Sequence, residues 1–268
     1  MPGARYTMPQ HARVYNTEAI VLRRTDFGEA DRILTLFTPA YGKVRAVAKG
    51  IRRPTSRLAG HLEPFTRTRL LLATGRELDI VTQAEAMERL DRLRDDLWHA
   101  TAAWYAAELV DRFLADNDAH PRVYQRFTQV LGVLDACAGT GEGKGPSMRG
   151  WLAVRHFELH LLDELGYRPA LHRCAGCEAL LRPEENGYNA ELGGCLCPNC
   201  SRYAQRRISL QALKVLRLLQ GTEWEQLPRL RLDPGQRAEV EGILQSTLRA
   251  HLERDLRSWS YLNALAGG

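Results

Sequence analysis

Four cysteines carry the clearest chemistry in the chain. Cys174-x2-Cys177 and Cys197-x2-Cys200 are matched pairs separated by 19 residues. Each CxxC turns two thiolates toward one point, and two such knuckles complete a tetrahedron about 2.3 Å from Zn2+. Gly176, Pro198 and Asn199 suit tight knuckle turns. Four thiolates leave no open coordination position, so the predicted role is one structural zinc ion, not a catalytic one. Free thiols or two reversible disulfides are the alternative, and the paired spacing favours metal over both. Cys195 lies two residues before Cys197 and competes for a ligand position. A CxC is the poorer chelate here, so the ligand set is Cys174, Cys177, Cys197 and Cys200. Cys137 reads as a buried small hydrophobe or an end-of-helix residue. Arg202, Arg206 and Arg207 follow the last knuckle and read as a solvated charge run before they read as DNA contacts.

The second chemical feature is a run of cations. Lys43, Arg45, Lys49, Arg52, Arg53 and Arg57 fall in one stretch that holds no acid. Such a group repels itself unless an anionic partner relieves it, and a phosphate backbone would do so. Six phosphate contacts on a single strand predict a log-affinity slope of roughly −4 against log salt. Arg67 and Arg69 share a face on a nearby strand candidate and join the set. Phe27 and Tyr41 sit in loops beside it and are candidates for base stacking, weighed evenly against core or turn packing. A solvated face or an anionic-membrane patch is the competing reading. A β-unit without a basic amphipathic helix makes the membrane the weaker of the two.

Other signals carry less. GTGEGKG has the wrong spacing for a phosphate loop, and Gly145 stands where the magnesium-binding hydroxyl is needed. His156 and His160 are four apart, but Phe157 replaces the general base of a zinc protease. Asp26, Glu29 and Asp31 flank Arg23, Arg24 and Arg32, so local ion pairing accounts for them before a metal nuclease does. No nucleophile–base arrangement and no ligase-type lysine motif stands out. A non-catalytic protein is therefore expected. A zinc-dependent nuclease or ligase-like enzyme is the main alternative, and a zinc-ribbon transcription regulator is another.

The elements that must position these residues follow from periodicity. Residues 1–13 read as a loose tail. Thr17–Arg24, Asp31–Thr38, Lys43–Lys49, Pro64–Leu72 and Glu77–Ala84 read as five short strands. Lys43, Arg45 and Lys49 alternate onto one face of the third. One short helix around Ser56–His61 fits between the third and fourth strands. That order is the order of an OB-fold, a Greek-key β-barrel, over 14–86. From Met87 to Phe113 the period becomes helical. Helices over Arg122–Ala136, Met148–Leu165, Ser209–Gln220 and Gln236–Ser258 follow, with Pro121 in a first turn, Ser147 as a cap and Gly166 as a stop. The expected architecture is α+β and multi-domain. The barrel is followed by a helical bundle in two parts, 87–166 and 205–262, with a zinc-binding segment at 167–204 inserted between them.

Composition agrees with a soluble nucleic-acid-binding protein. The 268 residues are 44% hydrophobic and carry a net charge of +5. Residues 1–85 hold fourteen Lys/Arg against eight Asp/Glu, a local excess of six. No signal-type or membrane-spanning apolar segment is present, which predicts a cytoplasmic, nucleoid-associated protein without membrane partners. Paired cysteines in a reducing compartment point to metal before disulfide.

TDFGEADRI, GKVRAVAKGIRRPTSRLAGHLEPF and LLDELGYRPAL, together with the cysteine segment, strongly resemble the RecO family of bacterial recombination mediators. The resemblance runs the whole length of the chain. It implies an N-terminal OB-fold, a helical domain and a zinc element. It further implies binding of single- and double-stranded DNA, annealing of complementary strands without ATP, and loading of RecA onto strands coated by single-strand-binding protein (SSB). RecR, the SSB C-terminal tail and, in some systems, RecF are the implied partners. Some family members lack the full cysteine set, whereas both pairs are complete here.

Overall fold

The computed structural model describes residues 13–139, 147–227, 229–252 and 256–266. It divides into two compact units, residues 1–141 and 142–268. The expected tail over 1–13 and Gly-rich stretch over 138–147 lie largely outside the described residues.

The first unit is a closed five-stranded barrel with two helices. Its strands are β1 (Val14–Phe27), β2 (Asp31–Thr38), β3 (Gly42–Ala48), β4 (Arg67–Ala73) and β5 (Asp79–Glu88), in the order β1-β2-β3-β5-β4. This is the OB-like barrel that the strand order predicts. β1 runs well beyond its predicted ends because it serves two neighbours. Val14–Ile20 pairs with β4 and Ile20–Phe27 with β2, with a bulge between Val21 and Arg23 where the strand bends from one to the other. Parallel pairing of Ala46 with Asp79 and Val47 with Ile80 closes the ring. The interior is filled by alternate residues of each strand, including Val21, Leu34, Leu36, Val44, Ala46, Leu70, Leu72 and Val81. Between β3 and β4 the expected helix is only a 3-10 turn, Ala59–His61. The segment does not need a helix: it contributes Ile51 and Leu62 to the barrel core.

The helical period after Met87 begins later than predicted. β5 continues to Glu88, opposite Arg67, and α1 spans Leu97–Phe113, capped by Asp96 accepting from the His99 amide. α2 spans Pro121–Cys137, with Pro121 in its first turn as expected. Both helices belong to the unit of the barrel, so the helices of the chain divide between two units.

Two polar clasps hold α1 and α2 to the barrel. The first is Lys43. Its Nζ donates to the Asp111 carbonyl at 2.6 Å and lies 3.2 Å from the Asp111 carboxylate and 3.4 Å from that of Asp116. Asp111 is in the last turn of α1, so the ammonium sits at the negative end of the helix dipole. The backbone joins in: the Asn117 amide donates to the Lys43 carbonyl at 2.9 Å. Gly42 (φ +66°) passes so close to Asp118 that a Cβ would lie 2.0 Å from its carbonyl oxygen. The second clasp is Glu18. It accepts from Arg67 at 2.5 and 3.0 Å and from the Tyr124 hydroxyl of α2 at 2.7 Å. The Arg67 guanidinium holds its carboxyl below the usual range, against the opposing effect of partial burial. Phe37 adds an apolar contact, its ring 5.4 Å from that of Tyr124 and 6.2 Å from that of Phe127.

The second unit packs α3 (Met148–Glu164), α4 (Leu210–Gly221) and α5 (Pro234–His251) around a buried α3; α6 (Arg257–Ala266) closes the described chain. Ser147 caps α3 as predicted, and Gly166 (φ +81°) follows its end. Asp233 and Gln236 form a capping box on α5. His156 is packed rather than ligating: it bonds the Thr222 carbonyl at 3.0 Å, with its ring against His160 and Trp224. Between α3 and α4 lies a small sheet of β6 (Asn186–Asn189), β7 (Gly194–Leu196) and β8 (Arg206–Ile208), in the order β7-β6-β8. No described helix is long and apolar enough to cross a membrane.

Lys43→Ala removes a buried donor and leaves its carbonyl and carboxylate partners short of one. Urea denaturation of this variant is expected to show a loss of about 1–3 kcal/mol. An unchanged midpoint would show that Lys43 does not hold α1 to the barrel.

Candidate metal centre and nucleic-acid interface

The cysteine element is built on short, tightly tied backbone. The first knuckle closes through Cys174 N to Ala179 O (2.8 Å) and Glu178 N to Cys174 O (2.8 Å). The second closes through Cys200 N to Cys197 O (2.9 Å), in the 3-10 segment Pro198–Tyr203 that follows β7. The two are tied together by Ala175 N donating to Cys195 O at 2.8 Å. Helix α4 fixes the approach to the element: Arg217 Nε donates to the Leu171 carbonyl and Gln220 Nε2 to that of Pro169. From below, the Tyr188 hydroxyl of β6 meets Thr247 of α5 at 2.6 Å.

These ties bring Cys174, Cys177, Cys197 and Cys200 together, with their sulfurs all within 4.8 Å of one another. The Cys177 and Cys197 sulfurs are 3.7 Å apart. A tetrahedron with metal–sulfur bonds of about 2.3 Å has edges of about 3.8 Å, so the donor set fits a four-coordinate ion. The electrostatics agree. Burial raises the Cys174 thiol, but the amides of Cys197 (3.3 Å) and Gly176 (3.4 Å) point at its sulfur and bring it down to about 6. The Cys200 thiol is pushed up to about 12, first by the neighbouring Cys177 sulfur. Several thiolates this close repel one another, and a divalent cation is what allows all four to ionise. Gly176 leaves room for them: a Cβ there would stand 3.3 Å from the Cys200 sulfur. Cys195 is outside the cluster. It is fully buried on β7, and burial pushes its thiol up to about 12.

The cationic surface lies on the barrel, and the structure sorts its predicted members. Opposite residues across β1, β2 and β3 share one side of the sheet. Leu34, Leu36, Val44 and Ala46 point into the core, so Arg23, Thr25, Phe27, Ile33, Thr35, Phe37, Lys43, Arg45 and Val47 point outward. One end of this outer face is covered. Phe37 lies under α2, and Lys43 is buried at the end of α1. Lys43 is therefore not an exposed phosphate ligand, which corrects its place in the predicted set. The reason is tertiary: its partners are Asp111, in the last turn of α1, and Asp116, in the loop that follows, and strand alternation does not report that they fold over it.

At the other end Arg23, Thr25, Phe27 and Arg45 are exposed, while Thr35 and Val47 between them are buried. Arg23, Thr35 and Arg45 form one cross-strand row, and Thr25, Ile33 and Val47 form the next. Arg45, Lys49, Arg53 and Arg57 are exposed and make no salt bridge among the described residues. The same holds for Arg23: its acidic sequence neighbours suggest local ion pairing, but strand register sets it across Thr35 from Arg45. Arg52 lies 3.7 Å from Asp26, which Arg32 holds more closely at 2.8 Å. Arg67 and Arg69 are on β4, away from this row. Arg67 is engaged by Glu18, with Glu88 3.8 Å away, and Arg69 lies 3.4 Å from Glu85. The acidic trio near the first turn is occupied structurally at two positions: Asp26 binds Arg32, and Asp31 accepts from the Gly50 amide at 2.7 Å.

Comparison with known proteins covers nearly the whole chain. The family profile described as Recombination protein O N terminal matches residues 12–90, and that described as Recombination protein O C terminal matches residues 94–260. The DNA repair protein RecO of Roseiflexus sp. (strain RS-1) is 46% identical over 253 residues, covering 94% of this chain and 86% of the relative. The DNA repair protein RecO of Desulforudis audaxviator (strain MP104C) is 40% identical over 254 residues, covering 94% and 97%. That of Pelotomaculum thermopropionicum (strain DSM 13744 / JCM 10971 / SI) is 36% identical over 253 residues, covering 94% of each. With an OB-like barrel under the first profile and a four-cysteine cluster under the second, the chain belongs to the RecO family of DNA repair proteins.

Proposed function

We propose that this chain is a non-catalytic recombination mediator. It binds single- and double-stranded DNA through the outer face of its barrel, anneals complementary strands without nucleotide, and helps load RecA onto SSB-coated DNA. The observation that carries this reading is a set of exposed cations without acid partners among the described residues: Arg23 and Arg45 in one cross-strand row of the β1–β2–β3 face, and Lys49, Arg53 and Arg57 in the segment that follows β3. OB-folds bind oligonucleotides on this strand 2–3 face. Cations there neutralise phosphates, so two strands approach with less repulsion. Base pairing then drives annealing, and no bond chemistry is asked of the protein.

Family membership supports RecR and the SSB C-terminal tail as partners, with RecA acting downstream and RecF in some systems. The cysteine cluster holds one structural Zn2+ in this reading. Thiolate-only coordination suits zinc, and a closed shell fits an ion that ties two knuckles together. The compartment is cytoplasmic, at the nucleoid.

Replacing Arg45, Lys49 and Arg53 together with Gln should weaken single-strand binding and flatten its salt dependence by about 2 in log–log slope. The same variant should anneal SSB-coated complementary strands more slowly. Unchanged affinity and slope at moderate salt would remove the face assignment. For the metal, purified protein should contain about one zinc per chain. Cys197→Ser should lose most of it, while Cys195→Ala should retain it. Equal metal content in both variants would break the ligand assignment.

A further inference from the structure

We infer that Phe27 is a base-stacking residue, a contact that adds to single-strand binding on the barrel and not to duplex binding. The inference rests on the DNA-binding reading above and adds the group that tells the two forms of DNA apart.

Phe27 is the last residue of β1 and is 51% exposed, with no ring partner among the described residues. By strand register it points to the same outer side as Arg23 and Arg45, with Thr25, Ile33 and Val47 between. The turn that carries it is held in place. Gly28 (φ +57°) makes the reversal. The Arg52 amide donates to the Ala30 carbonyl at 2.9 Å, and the Gly50 amide to the Asp31 carboxylate at 2.7 Å. Asp26, one residue before Phe27, is bound by Arg32 at 2.8 Å. These bonds join the β1–β2 turn to the loop that bears Lys49, Arg52 and Arg53. An aromatic ring is thus presented to solvent on a braced turn, beside cations that attract a phosphate backbone.

Tyr41 does not share this role. It is half-buried, with its ring 4.8 Å from that of Tyr15 and packed edge-on. Tyr41 is on the β2–β3 turn, at the other end of those strands from the cationic loop, so of the two aromatics only Phe27 stands beside the loop with an exposed ring. A single strand can lay a base on such a ring. In a duplex the base faces are already stacked on one another, so the ring gains nothing there and only the phosphate contacts remain.

The test uses the full chain and one short fluorescent oligonucleotide of mixed sequence, presented single-stranded and as its duplex. Phe27→Ala should lower single-strand affinity about tenfold, within the range of one lost stack. Duplex affinity should stay within about twofold and the salt slope should be unchanged, since no cation is removed. Phe27→Trp should restore single-strand binding. Equal losses on both forms, a flattened salt slope or an unchanged single-strand affinity in Phe27→Ala would overturn the stacking role while leaving the cationic face standing. A wild-type chain that binds neither form would overturn the underlying DNA reading, and the stacking role with it.

Discussion

The buried ammonium of Lys43 is the contact on which the first unit turns. It sits at the C-terminal end of α1, bound to the Asp111 carbonyl and flanked by two carboxylates. Removing an ammonium from water is costly, and only close, multiple partners offset that cost. Here the helix dipole, a carbonyl and the carboxylates act together. The consequence reaches the site. By anchoring α1 at one end of the β1–β2–β3 sheet, while Phe37 packs under α2, the clasp divides the outer face in two. One half becomes a protein–protein seam within the unit. The other half, from the Arg23–Thr35–Arg45 row to Phe27, keeps Arg23, Arg45 and Phe27 exposed.

The barrel was legible because its signals are local. Alternating residues, turns at Gly28 and Gly42, and the order of the runs define five strands without any long-range information. Alternation also placed Lys43 and Arg45 on one face, and the structure keeps them there. What alternation cannot report is what covers each end of that face. Asp111 lies 68 residues beyond Lys43, in another element. Arg67 and Arg69 follow the same logic on β4. They share a strand, yet their partners Glu18, Glu85 and Glu88 come from the flanking strands β1 and β5, and cross-strand pairing consumes them. Arg23 was passed over for the reverse reason: its acidic sequence neighbours suggested pairing, whereas Arg24 and Arg32 take the acids Glu63 and Asp26.

The cysteine cluster was legible from spacing alone, because each CxxC is a local turn. Its surroundings show why an ion held there would matter. The small sheet has strands of four, three and three residues. So small a sheet has little core of its own and depends on what packs over it, and a metal cross-link commonly supplements the core of elements this small. Cys195 belongs to the scaffold of the element and lies outside the four-cysteine cluster. Its carbonyl accepts from Ala175 and its amide donates to Ala170, so it fastens the first knuckle to β7 while its thiol stays buried.

The cations of the barrel form a graded set. An exposed ion pair is worth about 0–1 kcal/mol, so Arg69 with Glu85 and Arg52 with Asp26 can exchange a carboxylate for a phosphate at little cost. Arg67 is held by two short bonds to Glu18, which Tyr124 also engages, so its release would loosen α2. Lys43 lies deepest and cannot turn outward without uncovering the end of α1. The gradient runs from the cations held beneath the helices to Arg53 and Arg57, exposed and without salt bridges among the described residues. On the proposed DNA-binding reading, a phosphate backbone meets these unpaired charges first. It can draw in Arg52 next, and it stops where the barrel's cations hold the fold together.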